Sequence, residues 1–310
     1  MLLSIIRHTT ENNPSLYSGA LFGFEREDGS LIISHGYPYP YPDQYEGGSL
    51  RSRSGAKYQQ EMLDLLRNMG CGVEFQGWFQ SSLSGNFVTS QLVESLAQQQ
   101  LVNGNSFILV HNMASFGKEI DLTALRLSEN FINTYIDGKW RSKSLEHNKL
   151  SYLNIFEEVP ISVHNQRLID LYLAAMENKR SPLEFDVLNL SSNQATMSHL
   201  LESMYSQVDS YNYDQTNYNY YQRIRQKEQS KISQWKQQRK LENLERNKLG
   251  EKELDLDEYQ SIFKLPSEPS RYHNMLYSHS IDVLADGVLS KCEEDLTKSF
   301  AIQRQLTSND

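Results

Sequence analysis

Two short apolar runs, GALFGF at residues 19–24 and LIIS at 31–34, flank the polar stretch EREDG. A Glu-Asp-Gly turn between apolar runs predicts a β-hairpin. The next segment, GYPYPYP at 36–42, alternates aromatic residues with proline. Proline has no N–H for a ladder, so the segment is predicted to leave the sheet as an extended edge. It is read as a rigid strap packing its own tyrosines, with a recognition segment as the alternative. GGSLRSRSGA at 47–56 is a polar loop. Tyr58, Met62, Leu65, Leu66 and Met69 then share one face at helical spacing, and Gly70 supplies the stop. VEFQGWF at 73–79 reads as a strand. Val88 to Gln100 reads as a helix with Leu92, Val93 and Leu96 inward. FILVH at 107–111 and LTALRL at 122–127 are two more strands. Strands and helices interleaved at this pace predict a layered α-β-α domain.

Residues 150–178 add a strand around Val159–Val163 and a helix. After Pro182 the pattern changes. Met197, Leu201, Met204, Val208 and Tyr211 step by four and three, close to a heptad. Tyr277, Ile281, Leu284, Val288, Cys292, Leu296 and Phe300 repeat that stepping. Each stripe is an apolar seam that needs a partner. The two seams either pack on each other as a helical hairpin or join other chains' helices in a bundle. Between them the chain is Tyr- and Gln-rich and then basic, with nine Lys or Arg against three Glu from Arg223 to Lys248. The acidic block EKELDLDE follows, and KLPSEPSR at 264–271 breaks the helix. The predicted organisation is an α/β domain over 1–178, with its core in 1–138 and an extension in 139–178. An elongated α-helical region over 179–310 follows, with a polar connector at about 212–260.

A net charge of −9 over 310 residues argues against a uniformly basic nucleic-acid surface. The basic stretch remains a local candidate for RNA, through Arg223, Arg225, Lys231, Lys236 and Arg239 with Trp235 stacking. The competing reading is a solvated helix neutralised by its acidic neighbour. Two distant cysteines, Cys71 and Cys292, form no disulfide framework and no zinc spacing. No apolar run approaches the roughly 18 residues of a membrane span. The N-terminus MLLSIIRHTTENN lacks the basic region and apolar length of a signal peptide. There is no H-x-H, H-E-x-x-H, C-x-x-C, Walker A loop, dinucleotide fingerprint or G-x-S-x-G elbow. His111, at the end of FILVH, reads as a strand-end residue with a satisfied ring rather than as a functional one. No catalytic constellation is identifiable, and no cofactor is expected.

The stretch GWFQSSLSGNFVTSQLVE at 77–94 nonetheless has the frame of an active site: a strand, a tight turn with Gly85, then a helix start. It resembles the core of the MPN (JAB1/MPN) family, whose active branch contains zinc isopeptidases that remove ubiquitin-like modifiers. Carried over position by position, the family's His pair falls on Gln80 and Ser82 and its Asp on Val93. Its Ser falls on Ser90 and is retained, and its upstream general-base Glu falls on Leu16. Neutral Gln and Ser do not replace two imidazoles as zinc ligands. The resemblance therefore implies an inactive MPN member without metal.

Blocks 77–89 and 156–165 (FEEVPISVHN) are similar to the inactive branch found in eukaryotic translation initiation factor three. SHGYPYP, WKQQRKLENLERNKLGE, and FKLP before RYHNMLYSHSI resemble it too, so the likeness covers nearly the whole chain. It implies a non-catalytic scaffold in the cytoplasm, paired with a second MPN subunit (the f subunit) and joined by its C-terminal helices to a multi-subunit bundle. The small ribosomal subunit and its RNA would be further partners. The assembly seam would run through Met197, Leu201, Met204, Val208, Tyr277, Ile281, Leu284, Val288 and Leu296. An inactive MPN scaffold of the proteasome lid or signalosome is the alternative. The resemblance also places LLSIIRH in the fold's first strand, shortened because it begins at Met1.

Overall fold

A computed structural model describes residues 1–11, 17–40, 53–83, 85–113, 120–177, 190–249, 255 and 257–308. The first element is a helix, α1 (Leu2–Glu11). The hairpin β1 (Ser18–Glu25) and β2 (Leu31–Pro38) follows, then α2 (Arg53–Asn68), β3 (Glu74–Ser82) and α3 (Ser90–Val102). Strands β4 (Phe107–Asn112) and β5 (Asp121–Leu127) lead to the short helices α4 (Glu129–Asp137) and α5 (Ser142–His147). Strand β6 (Phe156–Val159) and helix α6 (Arg167–Glu177) come next. The rest is helical: α7 (Leu190–Leu249), a short turn α8 (Tyr259–Ile262) and α9 (Tyr272–Ser308). Among the described residues no helix is long and apolar enough to cross a membrane.

The six strands form one mixed sheet in the order β2-β1-β3-β4-β5-β6. Only β3 and β4 run parallel, and α3 makes the crossover between them. Gly77 is required at that junction, because a Cβ there would lie 1.9 Å from the Phe107 carbonyl oxygen. One face of the sheet carries the main core, where Phe22, Trp78, Ile108 and Val110 meet Leu66 of α2 and Leu92, Val93 and Leu96 of α3. The other face carries Leu21, Phe79, Phe107 and Leu109 around Ile5 of α1. Helices thus cover both faces, as the layered pattern predicts.

Several local readings change. The LLSIIRH stretch is a helix, not part of a first strand. Ile5 is buried in the second core, and Thr9 Oγ1 lies 2.9 Å from His111 Nδ1, so the amphipathic face has a docking partner. The last strand covers Phe156–Val159 rather than Val159–Val163, because it pairs with β5 between Leu127 and Ala124. Helix α2 begins at Arg53, inside the polar segment read as loop, and residues 47–52 lie outside the described residues. Leu65 and Met69 are exposed, so α2 is anchored by Tyr58, Met62 and Leu66. Pro38 closes edge strand β2 instead of leaving it, and Tyr39 then turns inward to 2% exposure. Its hydroxyl accepts from Trp78 Nε1 at 3.2 Å and donates to Gln59 at 3.2 Å, and its ring meets Tyr58 edge-on. The strap packs its own tyrosine.

The polar connector is helical as far as Leu249. Residues 190–249 form one helix whose half-buried positions recur every three or four residues along its length. Helices α7 and α9 pack on each other, and Leu200 and Leu284 are fully buried. The first turns of α9 also enter the α/β domain: Tyr272, Met275 and Leu276 belong to the main core. Tyr272 sits 4.7 Å from the Trp140 ring and 6.5 Å from that of Phe131.

Two outcomes are expected. Truncation after residue 265 removes three core side chains, so the remaining α/β domain should lose about 3 kcal/mol or more of stability. Urea unfolding read by tryptophan fluorescence checks this, and an unchanged midpoint would refute the shared core. The second concerns His111, whose pKa lies below the ordinary 6.5 because burial disfavours the imidazolium, against a smaller upward pull from Asp121. Its folded value is depressed, so its contribution to stability is whole above pH 6.5 and is lost as pH falls through the folded value. His279 adds a slope of the same sign. His111→Gln should flatten the fall in thermal midpoint between pH 6.5 and about 5.

Candidate functional site

The frame sits where β3 ends and α3 begins. Thr89 caps α3 by accepting from the Leu92 N–H at 3.2 Å, which fixes the helix start. Gly85 lies in the turn at φ +98, a conformation open to glycine. Its missing Cβ also makes room for α9, because a Cβ there would stand 2.5 Å from Val283 Cγ1.

The side chains at the ligand positions have other roles. Ser82 is fully buried, and its Oγ accepts from the Gly85 N–H at 3.0 Å, closing the turn. Val93 is fully buried in the main core. Ser90 is half-buried, and its carbonyl accepts from the Tyr272 hydroxyl at 3.5 Å. Gln80 is 5% exposed, and its Oε1 has no hydrogen-bond partner among the described residues. Ser18 stands opposite Gln80 in the β1–β3 register, and its buried Oγ is also without a partner among them. Leu16, at the general-base position, lies outside the described residues.

Gln80 and Ser82 offer only neutral oxygens, and Val93 offers no donor. Such a set does not fit a divalent ion of the zinc type, which takes imidazole, thiolate or carboxylate. No group of three His, Cys, Asp or Glu among the described residues is arranged to hold a metal. His111 and Cys71 bring no dyad: His111 is buried against Thr9, and Cys71 packs at the edge of the main core.

A cavity of about 800 Å³ opens beside this frame, between β4–β6 and α9. Phe87, Val110, Leu125, Phe156 and Val283 give it apolar walls, and Asp121, Glu158, Asp286 and Glu293 make its rim acidic. His279 projects into it, 5.3 Å from the Phe156 ring. Burial holds the His279 pKa below its ordinary value, against an upward pull from the Tyr152 carbonyl and Asp282. Helix α9 therefore forms one wall of the cleft.

Of the seam residues, Met197, Met204, Val208, Tyr277, Ile281 and Val288 are half-buried and Leu284 is fully buried. Leu201 is 45% exposed, and its neighbour Leu200 takes the inward position. Leu296 is exposed. The hairpin arrangement thus accounts for most of the seam within this chain. On the distal part of α7, Arg223, Arg225 and Lys231 are exposed, and Lys231 pairs with Glu228 at 2.7 Å. Trp235 is already engaged: its ring meets Phe263 edge-on at 6.5 Å, and Arg239 lies over it at 5.0 Å. Arg239 pairs with Glu242 and Glu258, and Lys236 lies 3.9 Å over the Tyr259 ring. The end of the acidic block, with the turn after it, folds back on the basic stretch, and Glu258 neutralises part of it.

One exposed apolar surface was not singled out from the pattern, and a second lies partly on the predicted stripe. Helix α6 exposes Leu168, Ile169, Leu171, Tyr172, Leu173 and Met176. The end of α9 exposes Leu289, Leu296 and Phe300. The signal for the first was present in RLIDLYLAAME, where apolar residues occupy most of the helix circumference and only Arg167, Asp170 and Glu177 are charged.

A family model described as the C-terminal region of eIF3h matches residues 117–308, more than half of the chain. The h subunit of eukaryotic translation initiation factor 3 from Yarrowia lipolytica is 36% identical, aligned over 90% of this chain and 89% of its own. Its counterparts from Aspergillus clavatus and from Neurospora crassa are 29% identical, covering 99% of this chain and 94% of each relative. The chain belongs to the eIF3h family. This makes the layered α/β unit an MPN domain and places the chain in a family of translation initiation factor subunits. Of the positions that the MPN resemblance assigns to metal ligands, Ser82 and Val93 are explained by turn geometry and packing, and Gln80 is not.

The orphaned Oε1 of Gln80 generates a test. An unsatisfied buried acceptor costs about 1–3 kcal/mol. Gln80→Met keeps the length and removes the acceptor, so it should raise the unfolding free energy from denaturant titration by about 1 kcal/mol. A loss of stability instead would mean that the amide is satisfied in solution.

Proposed function

We propose that the chain is a non-catalytic scaffold subunit of the cytoplasmic translation initiation factor, joined to other subunits through apolar helix faces. The observation that carries the reading is the exposure of α6, where six apolar side chains stand in solvent on a single eleven-residue helix. Apolar surface of that density marks a protein contact. The exposed end of α9 offers a second contact for a helical bundle. A second MPN subunit, the f subunit, is the partner expected for the domain itself. Through that assembly the chain would support pre-initiation complexes on the small ribosomal subunit. The donor set supports the non-catalytic reading: the positions that the resemblance assigns to metal ligands hold a turn-closing serine, a core valine and an amide.

Direct RNA contact is a lesser part of this reading. Arg223 and Arg225 project from α7, whereas Trp235 and Arg239 are occupied within the chain. Phosphate binding there would be salt-dependent and would not use the tryptophan ring.

The test is affinity purification of the tagged chain from its own cells with mass spectrometry of the co-purifying proteins. The wild-type chain should bring down initiation-factor subunits and small ribosomal subunit proteins. Leu171→Asp with Tyr172→Asp should cut that recovery at least about tenfold, the scale of losing one well-buried contact residue. Phe300→Asp tests the bundle contact in the same way. Both variants should keep the wild-type circular dichroism, because neither face is packed within the chain. Full recovery with both variants would remove the basis of the proposal.

A further inference from the structure

Besides the core anchor of Tyr272, Met275 and Leu276, a polar junction ties the hairpin of α7 and α9 to the α/β domain, and Ser142 stands in its middle. The Ser142 backbone N–H donates to Glu268 Oε1 at 3.0 Å, and its hydroxyl donates to the same oxygen. The hydroxyl also lies 3.5 Å from that of Tyr218 on α7. Arg271 stacks its guanidinium 4.2 Å over the Tyr218 ring, and its backbone N–H donates to the Trp140 carbonyl at 2.8 Å. Three parts of the chain meet there: α5, α7 and the segment that leads into α9. The Glu268 carboxyl is held below its ordinary range. Partial burial pushes it up, but the two Ser142 hydrogen bonds and the Arg271 and Arg225 guanidiniums outweigh that.

Ser142 is itself exposed. It follows Lys139-Trp140-Arg141, with Lys139 and Arg141 exposed and the Arg141 backbone extended. A basic residue three positions before an accessible serine is the pattern read by basic-directed protein kinases. The helix that Ser142 opens is six residues long and has no fully buried side chain; Leu145 half-buries against the main core, while Ser142 stands at its exposed first turn.

We propose that Ser142 is a phosphorylation site for a basic-directed kinase, and that its modification opens the polar tie between α5 and the segment leading into α9, while the core burial of Tyr272, Met275 and Leu276 holds. The γ-phosphoryl group passes from ATP to Ser142 Oγ. The Oγ–P bond forms, the bond from the γ-phosphorus to the bridging oxygen breaks, the hydroxyl proton goes to the kinase's base, and ADP leaves. The modified oxygen no longer donates to Glu268. A group of charge about −1.5 to −2 then stands against that carboxylate. Arg271 and Arg225 attract Glu268 in the unmodified chain, and the phosphate competes for both. Glu268 is displaced, Arg271 is drawn off the Tyr218 ring, and the tie to the Trp140 carbonyl opens.

The experiment uses the full chain, ATP and the catalytic subunit of cyclic-AMP-dependent protein kinase, with mass spectrometry and amide hydrogen exchange. Phosphate is expected on Ser142, and exchange at the Arg271 amide and the first turn of α9 should quicken about tenfold or more, the effect of losing a charge-assisted hydrogen bond. Ser142→Ala should take no phosphate there. Glu268→Ala should quicken the same amides without kinase. Phosphate on Ser144 alone, an unmodified Ser142, or a modified Ser142 with unchanged exchange at Arg271 would each overturn the proposal. So would Glu268→Ala with wild-type exchange.

Discussion

The burial of Tyr272, Met275 and Leu276 in the core of the α/β domain governs the rest of the molecule. These residues lie more than a hundred positions beyond the last strand, yet they close the same core as Trp78, Leu92 and Phe131. The helical region is therefore anchored in the domain rather than appended to it. Once the start of α9 is fixed, its path beside Gly85 is fixed too, and so is the cleft wall formed by His279 and Val283. The direction of α9 in turn sets which face of α7 is covered. A long helix with low apolar content has little stability alone, so its order rests on that packing.

The sequence pattern carried the layered domain well because its signals were local and mutually consistent. GALFGF and LIIS around EREDG, VEFQGWF, and FILVH each had the composition and length of strands, and each is one. LLSIIRH was ambiguous in its own right. Its four apolar residues fit a strand or a short helix, and the choice is made by the pocket for Ile5 and the Thr9–His111 contact across about a hundred residues. The seam shows a subtler limit. Leu201 and Leu200 differ by 100° around a helix, and the inward one is fixed by where α9 lies. The anchoring triad was legible in spacing, since Tyr272, Met275 and Leu276 follow the i, i+3, i+4 rule. Nothing in the spacing reveals that its partner is the main core.

The frame at β3 and α3 was legible as a frame, and the altered ligand positions were legible one by one. What replaced the ligands was not. Ser82 has become a turn acceptor and Val93 a core residue, and both gain their value from contacts made by neighbours. Gly77 keeps its place because the parallel β3–β4 pair brings a carbonyl to within 1.9 Å of its missing Cβ. Trp78 keeps its place because its indole N–H meets Tyr39. Persistence of the Gly-Trp signature thus needs no chemistry at the cleft.

A packed frame of this kind and an exposed α6 answer different requirements, and their coexistence in one chain is the functional argument. The core has no need of α6: the sheet is covered without it, and the helix leaves its apolar side chains in water. Such surface is costly to keep, at roughly 25 cal/mol per Å² left exposed. A chain that had kept its fold only for its own stability would have no use for it. The helix makes sense as a contact for another subunit, as proposed above, and the turn between β3 and α3 is the place where the domain packs its own C-terminal helix.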